Sequence, residues 1–335
     1  MKLSYDTICA LAHGIDYSEK ENGNIIFSRF SKQERECLSY GKDNSFSTSG
    51  VRLEFETDCT YLKISVCNEH SNPHGRNFYS YDIYCNDNMT GQIKNYNVEP
   101  SYPYKEYSLD DRHKIFKFPV GIKKICVYFP WSVKGMIKEI EINDGAIIKP
   151  IIKAKKMIMY GDSITQGYDS KCPSLSYASK LADMLNANAI NKGIGGSVFM
   201  PMLTKIKNDF PPDLITVAYG TNDWNCSDFN SFNLRCESFF ENLLKNYPKT
   251  PIFLIAPVWR ADSGEQRKFG DFSQMAQKYR ELSDMHKNIH FINGFDFIPH
   301  NKKYYRDGYL HPNDKGFEFY AKELAEYFKK RSIIN

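Results

Sequence analysis

Through the first 150 residues, apolar side chains recur at every second position in short runs, and clusters of Asn, Asp, Ser, Gly and Pro cut one run from the next. Period two marks a strand with one buried face. Residues 51–56, 61–66, 79–84, 114–118, 124–129 and 136–142 read this way, whereas segments of helical period are scarce. Strands at this spacing, with no helices to cover them, bury their apolar faces against a second sheet. The pattern therefore predicts an all-β sandwich of jelly-roll type.

After residue 151 the rhythm changes. Compact apolar runs at 156–160, 189–191, 214–219, 252–256 and 289–292 alternate with helical segments at 177–186, 232–246, 272–285 and 314–330. The last of these carries Phe317, Tyr320, Leu324 and Phe328 on one stripe and starts after Pro312-Asn313, a good start signal. Strands covered on both faces by intervening helices predict an α/β fold with a parallel sheet in the middle of three layers. A length of 335 residues suits two domains, predicted as 1–150 and 151–335.

Composition narrows the function classes. The chain is 41% apolar and 25% charged, with a net charge of +4 spread among acidic residues, so the basic stripe of a nucleic-acid binder is missing. Three lysines in 153–156 read as a solvated linker. The apolar stretch 8–12 is too short for a signal-peptide core and no run approaches the ~18 residues of a membrane span, which leads us to expect a cytoplasmic protein with no membrane partner. Nine cysteines without a Cys-x-x-Cys pair give neither a disulfide framework nor a zinc site, and no metal or cofactor is expected. The 23 Tyr and 23 Phe suit aromatic-rich strands or sugar-facing surfaces. The sequence leaves the oligomeric state open.

The chemistry gathers in the second half. Gly161-Asp162-Ser163-Ile164 follows the strand 156–160, so Ser163 falls where a strand ends and a helix begins. Taken alone it reads as a helix N-cap. A serine hydroxyl needs a base, and histidine suits that task. His311 lies in a Pro-flanked loop ahead of the terminal helix with Asp307 upstream, so a Ser-His-Asp set is available. The other seven histidines, His13 and His74 among them, read as surface residues. Acyl transfer also needs oxyanion donors. The backbone N–H groups of Ser163 and Gly196 and the side-chain amide of Asn222 offer three, each in a segment that follows a predicted strand. Dinucleotide, Walker, His-Glu-x-x-His and Gly-x-Ser-x-Gly motifs are all absent.

These blocks resemble the SGNH hydrolases, also called the GDSL family of esterases and acylhydrolases. Gly161-Asp162-Ser163 is similar to the nucleophile block, 191–196 to the glycine block, 220–223 to the asparagine block and 307–312 to the acid and histidine block, in family order over about residues 155–330. The resemblance implies the SGNH hydrolase fold, with a flavodoxin-like parallel sheet. It also implies Ser163 as nucleophile, Gly196 and Asn222 as oxyanion donors and His311 as base. The family spaces its acid three residues before the histidine; here that position is Gly308, and Asp307 stands four before. Either one extra loop residue brings Asp307 to the imidazole or a backbone carbonyl orients His311. The N-terminal half resembles the β-sandwich ahead of some bacterial members, Tyr81-Asp82-Ile83-Tyr84 being similar to a signature whose opening glycine is Ser80 here, as in two-domain carbohydrate esterases. Trp259 and Arg260, just past the strand 252–256, are at the right edge either to bind substrate or to serve in packing. The expected substrate is a small-molecule or glycan ester, with an acetyl group favoured. A thioesterase or lysophospholipase, or a carbohydrate-binding protein on an inactive scaffold, are the alternatives.

Overall fold

The computed structural model describes residues 1–72 and 75–331, and the chain forms two compact units. The first takes residues 1–30, 43–154 and 171–174; the second takes 31–42, 155–170 and the chain from 175 onward. A sequence cut at 150 misses two short exchanges, because neither segment differs in composition from the chain around it. His74 lies outside the described residues.

The first unit holds two antiparallel sheets. One runs in the order β1 (Ala12–His13), β4 (Arg52–Thr57), β9 (Lys123–Tyr128), β6 (Ser80–Cys85), β7 (Asn88–Lys94), with β11 (Ile148–Pro150) also pairing β4. The other runs β2 (Tyr17–Glu21), β3 (Asn24–Ser28), β10 (Val133–Ile142), β5 (Tyr61–His70), β8 (Arg112–Lys117). Period two is visible in the burial of β5: Leu62, Ile64 and Val66 are fully buried and their neighbours are not. They join Leu53, Phe55, Tyr81, Ile83 and Val127 of the first sheet in one core. The sequence reading found the strands with apolar alternation and passed over β2 and β3. Their turn was legible, since Asn22 and Gly23 both hold positive φ in a two-residue hairpin. A short helix, α1 (Tyr5–Ala10), precedes these strands.

Two expectations fail in this unit. Lys153 is not a solvated linker residue: its side chain is 4% exposed and its ammonium pairs with the buried carboxylate of Glu54. Arg52 and Lys124 also reach Glu54, at 3.6 and 3.3 Å. Burial pushes the Glu54 carboxyl up, but the three cations outweigh it and hold it at about 2. Nor is His13 a surface residue. It is buried 3.9 Å from Glu54, and burial pushes its imidazole down to about 4. Sequence pattern locates apolar faces and is blind to a buried carboxylate that gathers cations around it.

In the second unit five parallel strands, β12 (Lys155–Gly161), β13 (Ala187–Gly193), β14 (Leu214–Ala218), β15 (Ile252–Ile255) and β16 (Ile289–Ile292), stand in the order β13-β12-β14-β15-β16. This is the flavodoxin-like strand order. Met157 and Met159 on one face of β12 pack in a cluster with Leu181 of α4 (Tyr177–Met184) and Phe317, Leu324 and Phe328 of α9 (Asp314–Lys330). On the other face Tyr160 meets Phe239 of α7 (Phe229–Asn246) edge-on at 5.5 Å. The alternation gives three layers. The remaining helices are α2 (Lys32–Cys37), α3 (Ser163–Gln166), α5 (Pro201–Lys205), α6 (Thr221–Cys226) and α8 (Gln274–Met285). α2 carries a capping box between Ser31 and Glu34, and the Glu34 carboxylate also takes a fully buried ion pair from Lys192 at 2.6 Å. Among the described residues no helix is long and apolar enough to cross a membrane.

Candidate active site

Ligands bind beyond the C-terminal ends of the strands in such a sheet, where neighbouring connections leave in opposite directions. β12 and β14 flank that point, and the chain leaves them into α3 and α6. Asp162, not Ser163, is the N-cap of α3: its Oδ1 accepts the Ile164 N–H at 2.9 Å. The serine is thereby released from the capping role that its position alone suggested, and its hydroxyl is turned to His311. Ser163 Oγ and His311 Nε2 stand 3.0 Å apart.

The acid–histidine loop explains the unusual spacing. An antiparallel bridge joins Tyr305 to Pro312, and Arg306 N–H donates to the His311 carbonyl, so the loop closes on itself. Gly308 takes φ +78°, a left-handed conformation that absorbs the extra residue. Asp307 then curls back: its Oδ1 accepts N–H groups from Tyr309, Leu310 and His311, and its Oδ2 lies 2.7 Å from His311 Nδ1. Burial raises the Asp307 carboxyl, but the bond and charge of His311 with the loop N–H groups win and hold it at about 2. Asn313 closes the segment by capping α9.

The glycine and asparagine blocks complete the setting. Asn191 is buried and donates its amide to the Thr165 carbonyl, tying β13 to α3. A Cβ on Gly193 would lie 2.4 Å from the Gln166 nitrogen, so only glycine fits where β13 passes the helix. Gly195 N–H donates to Gln166 Oε1 at 2.7 Å, and the exposed Gly196 follows at φ +76°. Asn222, half-buried in α6, donates one amide proton to the Ser197 carbonyl at 2.9 Å, which fixes its rotamer beside Gly196 in the chain.

The structure treats Trp259 and Arg260 differently. Trp259 stacks on His300 at 5.3 Å, half-buried. Arg260 is 3% exposed and its guanidinium is occupied: it forks onto the Asp262 carboxylate and donates to the carbonyl and hydroxyl of Thr221. It braces the asparagine block rather than presenting a free cation to a ligand. A cavity of about 720 Å³ near Ala256, Phe272, Arg280 and Phe295 is lined by neither Ser163 nor His311.

Several residues of the site gave no sequence signal. Tyr40, from the segment that folds with this unit, brings its hydroxyl within 2.3 Å of where a Gly196 Cβ would stand. Tyr168 lays its ring 5.9 Å from that of His311. Asp169 reaches 3.6 Å from His311 Nδ1. Local pattern cannot reveal such convergence, since turns carry no period.

Asp162 is fully buried, and burial pushes its carboxyl up to about 7 against the Ile164 N–H and His311, with Asp223 adding to the rise. A raised carboxyl makes the folded state bind the extra proton, so this contribution to stability is lost as pH climbs from about 4 through 7. Asp162→Asn keeps the capping oxygen without the charge. We expect it to unfold at a higher temperature than the parent at pH 8, by on the order of 2 kcal/mol of stability, and to lose that advantage at pH 4. Matched melting curves at the two pH values check this; an equal gain at both would show that the buried charge is not the cause.

The model of the GDSL-like Lipase/Acylhydrolase family matches residues 159–319. The chain is similar in structure to a salicylyl-acyltransferase from a tetracycline biosynthetic pathway (20% identity, TM-score 0.79, 93% of this chain and 92% of that one). It is also similar to a family two carbohydrate esterase from Cellvibrio japonicus (15%, 0.70, 98% and 97%) and an acetyl xylan esterase from Butyrivibrio proteoclasticus (16%, 0.59, 84% and 90%). No curated protein matches the sequence. A matching family model, with Ser163, Asn222 and His311 at one sheet edge, identifies residues 159–319 as a GDSL/SGNH lipase–acylhydrolase domain.

Proposed function

We propose that the protein is a serine esterase that removes small acyl groups, acetyl above all, from carbohydrate esters. One observation carries this reading: the unbroken relay Ser163 Oγ, His311 Nε2, His311 Nδ1, Asp307 Oδ2, with steps of 3.0 and 2.7 Å. Nε2 takes the proton as Oγ attacks the ester carbonyl, and Asp307 holds the ring in the tautomer that leaves Nε2 free to accept. Collapse of the tetrahedral intermediate expels the sugar alcohol, which takes the proton back from His311. Water then repeats the sequence on the acyl-serine and releases the acid.

The intermediate carries an oxyanion, for which the Ser163 and Gly196 backbone N–H groups and the second Asn222 amide proton are the assigned donors. Holding one Asn222 proton on Ser197 leaves the other fixed in direction, which is the preorganisation such a donor needs. Family two carbohydrate esterases and an acetyl xylan esterase among the structural relatives support the choice of acyl group and acceptor. The acyltransferase relative supports a second reading, in which the same acyl-serine passes to an alcohol in place of water.

The test is a panel of aryl esters from acetyl to dodecanoyl, together with acetylated xylo-oligosaccharides. We expect kcat/KM to fall at least about tenfold between acetyl and octanoyl, and acetate to be released from the oligosaccharides. A clear preference for long chains would replace this reading with a lipase or thioesterase. A product ratio that follows added alcohol rather than water would favour the transferase.

A further inference from the structure

Asp169 lies six residues past Ser163 with none of its surface exposed, and it holds φ at +66°. That left-handed conformation is uncommon for any residue with a side chain, though Asp and Asn tolerate it best, and strain of this kind persists where the surroundings enforce it. The turn it makes carries the carboxylate back toward the imidazole. Asp169 Oδ2 stands 3.6 Å from His311 Nδ1, the same nitrogen that Asp307 Oδ2 meets at 2.7 Å. Two carboxylates, one from the turn after α3 and one from the loop before α9, therefore converge on one edge of one ring.

Their roles differ. Asp307 accepts the ring proton, and its oxygens are also bound by the N–H groups of Tyr309, Leu310 and His311, so much of its charge is answered locally. Asp169 is beyond hydrogen-bond length from Nδ1 and acts on the ring through its charge. We propose that Asp169 is a second positioning carboxylate for His311, which holds the imidazole toward Ser163 and stabilises the imidazolium formed when the serine gives up its proton. This rests on the esterase reading. The other groups that face the ring are Ser163 at 3.0 Å, the Tyr168 ring at 5.9 Å and the charge of Asp162.

Asp169→Asn removes the charge and keeps both size and tolerance of the left-handed backbone; Asp169→Gly removes the charge and the strain together. In both, the acid limb of the kcat/KM–pH profile should move toward lower pH, because a lost anion makes the imidazole easier to deprotonate. Asp307→Asn alone should lower kcat by about 10²-fold, and adding Asp169→Asn should bring the loss to about 10⁴-fold, the cost of a serine triad without its acid. A residue that only shapes the turn would alter kcat or stability and leave the acid limb in place. An unmoved limb in both Asp169 variants overturns the proposal, and so does an Asp307→Asn variant already at the full loss. The midpoint of the His311 ring titration by NMR gives the same answer without turnover. It should fall in Asp169→Asn, and it separates failure of this inference from failure of the esterase reading, which a parent protein inert toward every ester would show.

Discussion

Replacing Ser163 with alanine is expected to lower kcat for acetyl esters by about 10⁶-fold and to leave the fold in place, the loss seen when a serine triad forfeits its nucleophile. The structure separates these two effects. The capping bond of α3 comes from Asp162, and the Ser163 hydroxyl bonds to His311, so alanine removes chemistry and not the support of the helix. Alanine is also a better helix former than serine. Ser163 is 4% exposed, and the loss of one oxygen there leaves Gly161, Thr165 and Asn191 to hold the turn as before. Initial rates on an acetyl ester, a fluorophosphonate label mapped by peptide and a melting curve give the three readouts. Label and turnover should vanish together while the melting temperature stays within about 3 °C. Turnover above about a hundredth of the parent rate, in a variant that no longer takes the label, would mean that a different group attacks the ester.

The sequence was most readable where one physical rule governs a run of residues. Alternation exposed β5, and compact apolar runs exposed all five parallel strands, because each is decided by what its side chains are buried against. The four longest helices of the second unit carried an apolar stripe and were found; α3, α5 and α6 are four to six residues long and have no room for a period. Among site residues, Ser163, Gly196, Asn222 and His311 were reachable because each follows a strand or precedes a helix in a recognisable block. Asp307 was reachable only as a choice between two arrangements. What decides it is the φ of Gly308 and the three N–H groups gathered by one carboxylate, and both are three-dimensional facts. Arg260 stands at the sheet edge as the sequence suggested, yet Asp262 and Thr221 had already claimed its donors. Asp169 and Tyr40 reach the site from a turn and from a distant segment, so no local window could contain them.

His311→Ala is the second large effect, and its size relative to Ser163→Ala is what identifies a relay. A serine at pH 7 without its base attacks hardly better than water, so the histidine variant should lose about 10⁵- to 10⁶-fold in kcat. The loop should survive, because the Asp307 carboxylate stays bound to the N–H groups of Tyr309 and Leu310, and the bridge between Tyr305 and Pro312 involves no imidazole. The decisive measurement is the double variant. If Ser163 and His311 act as one unit, removing both costs no more than removing either, and the single losses fail to add. If instead His311 served only to shape the pocket, the two losses would multiply and the single histidine variant would still take the phosphonate label at close to the parent rate. The 3.0 Å contact between Oγ and Nε2 argues for the first outcome: a base at that distance shares the proton whose transfer makes the serine a nucleophile, and neither residue retains its function without the other.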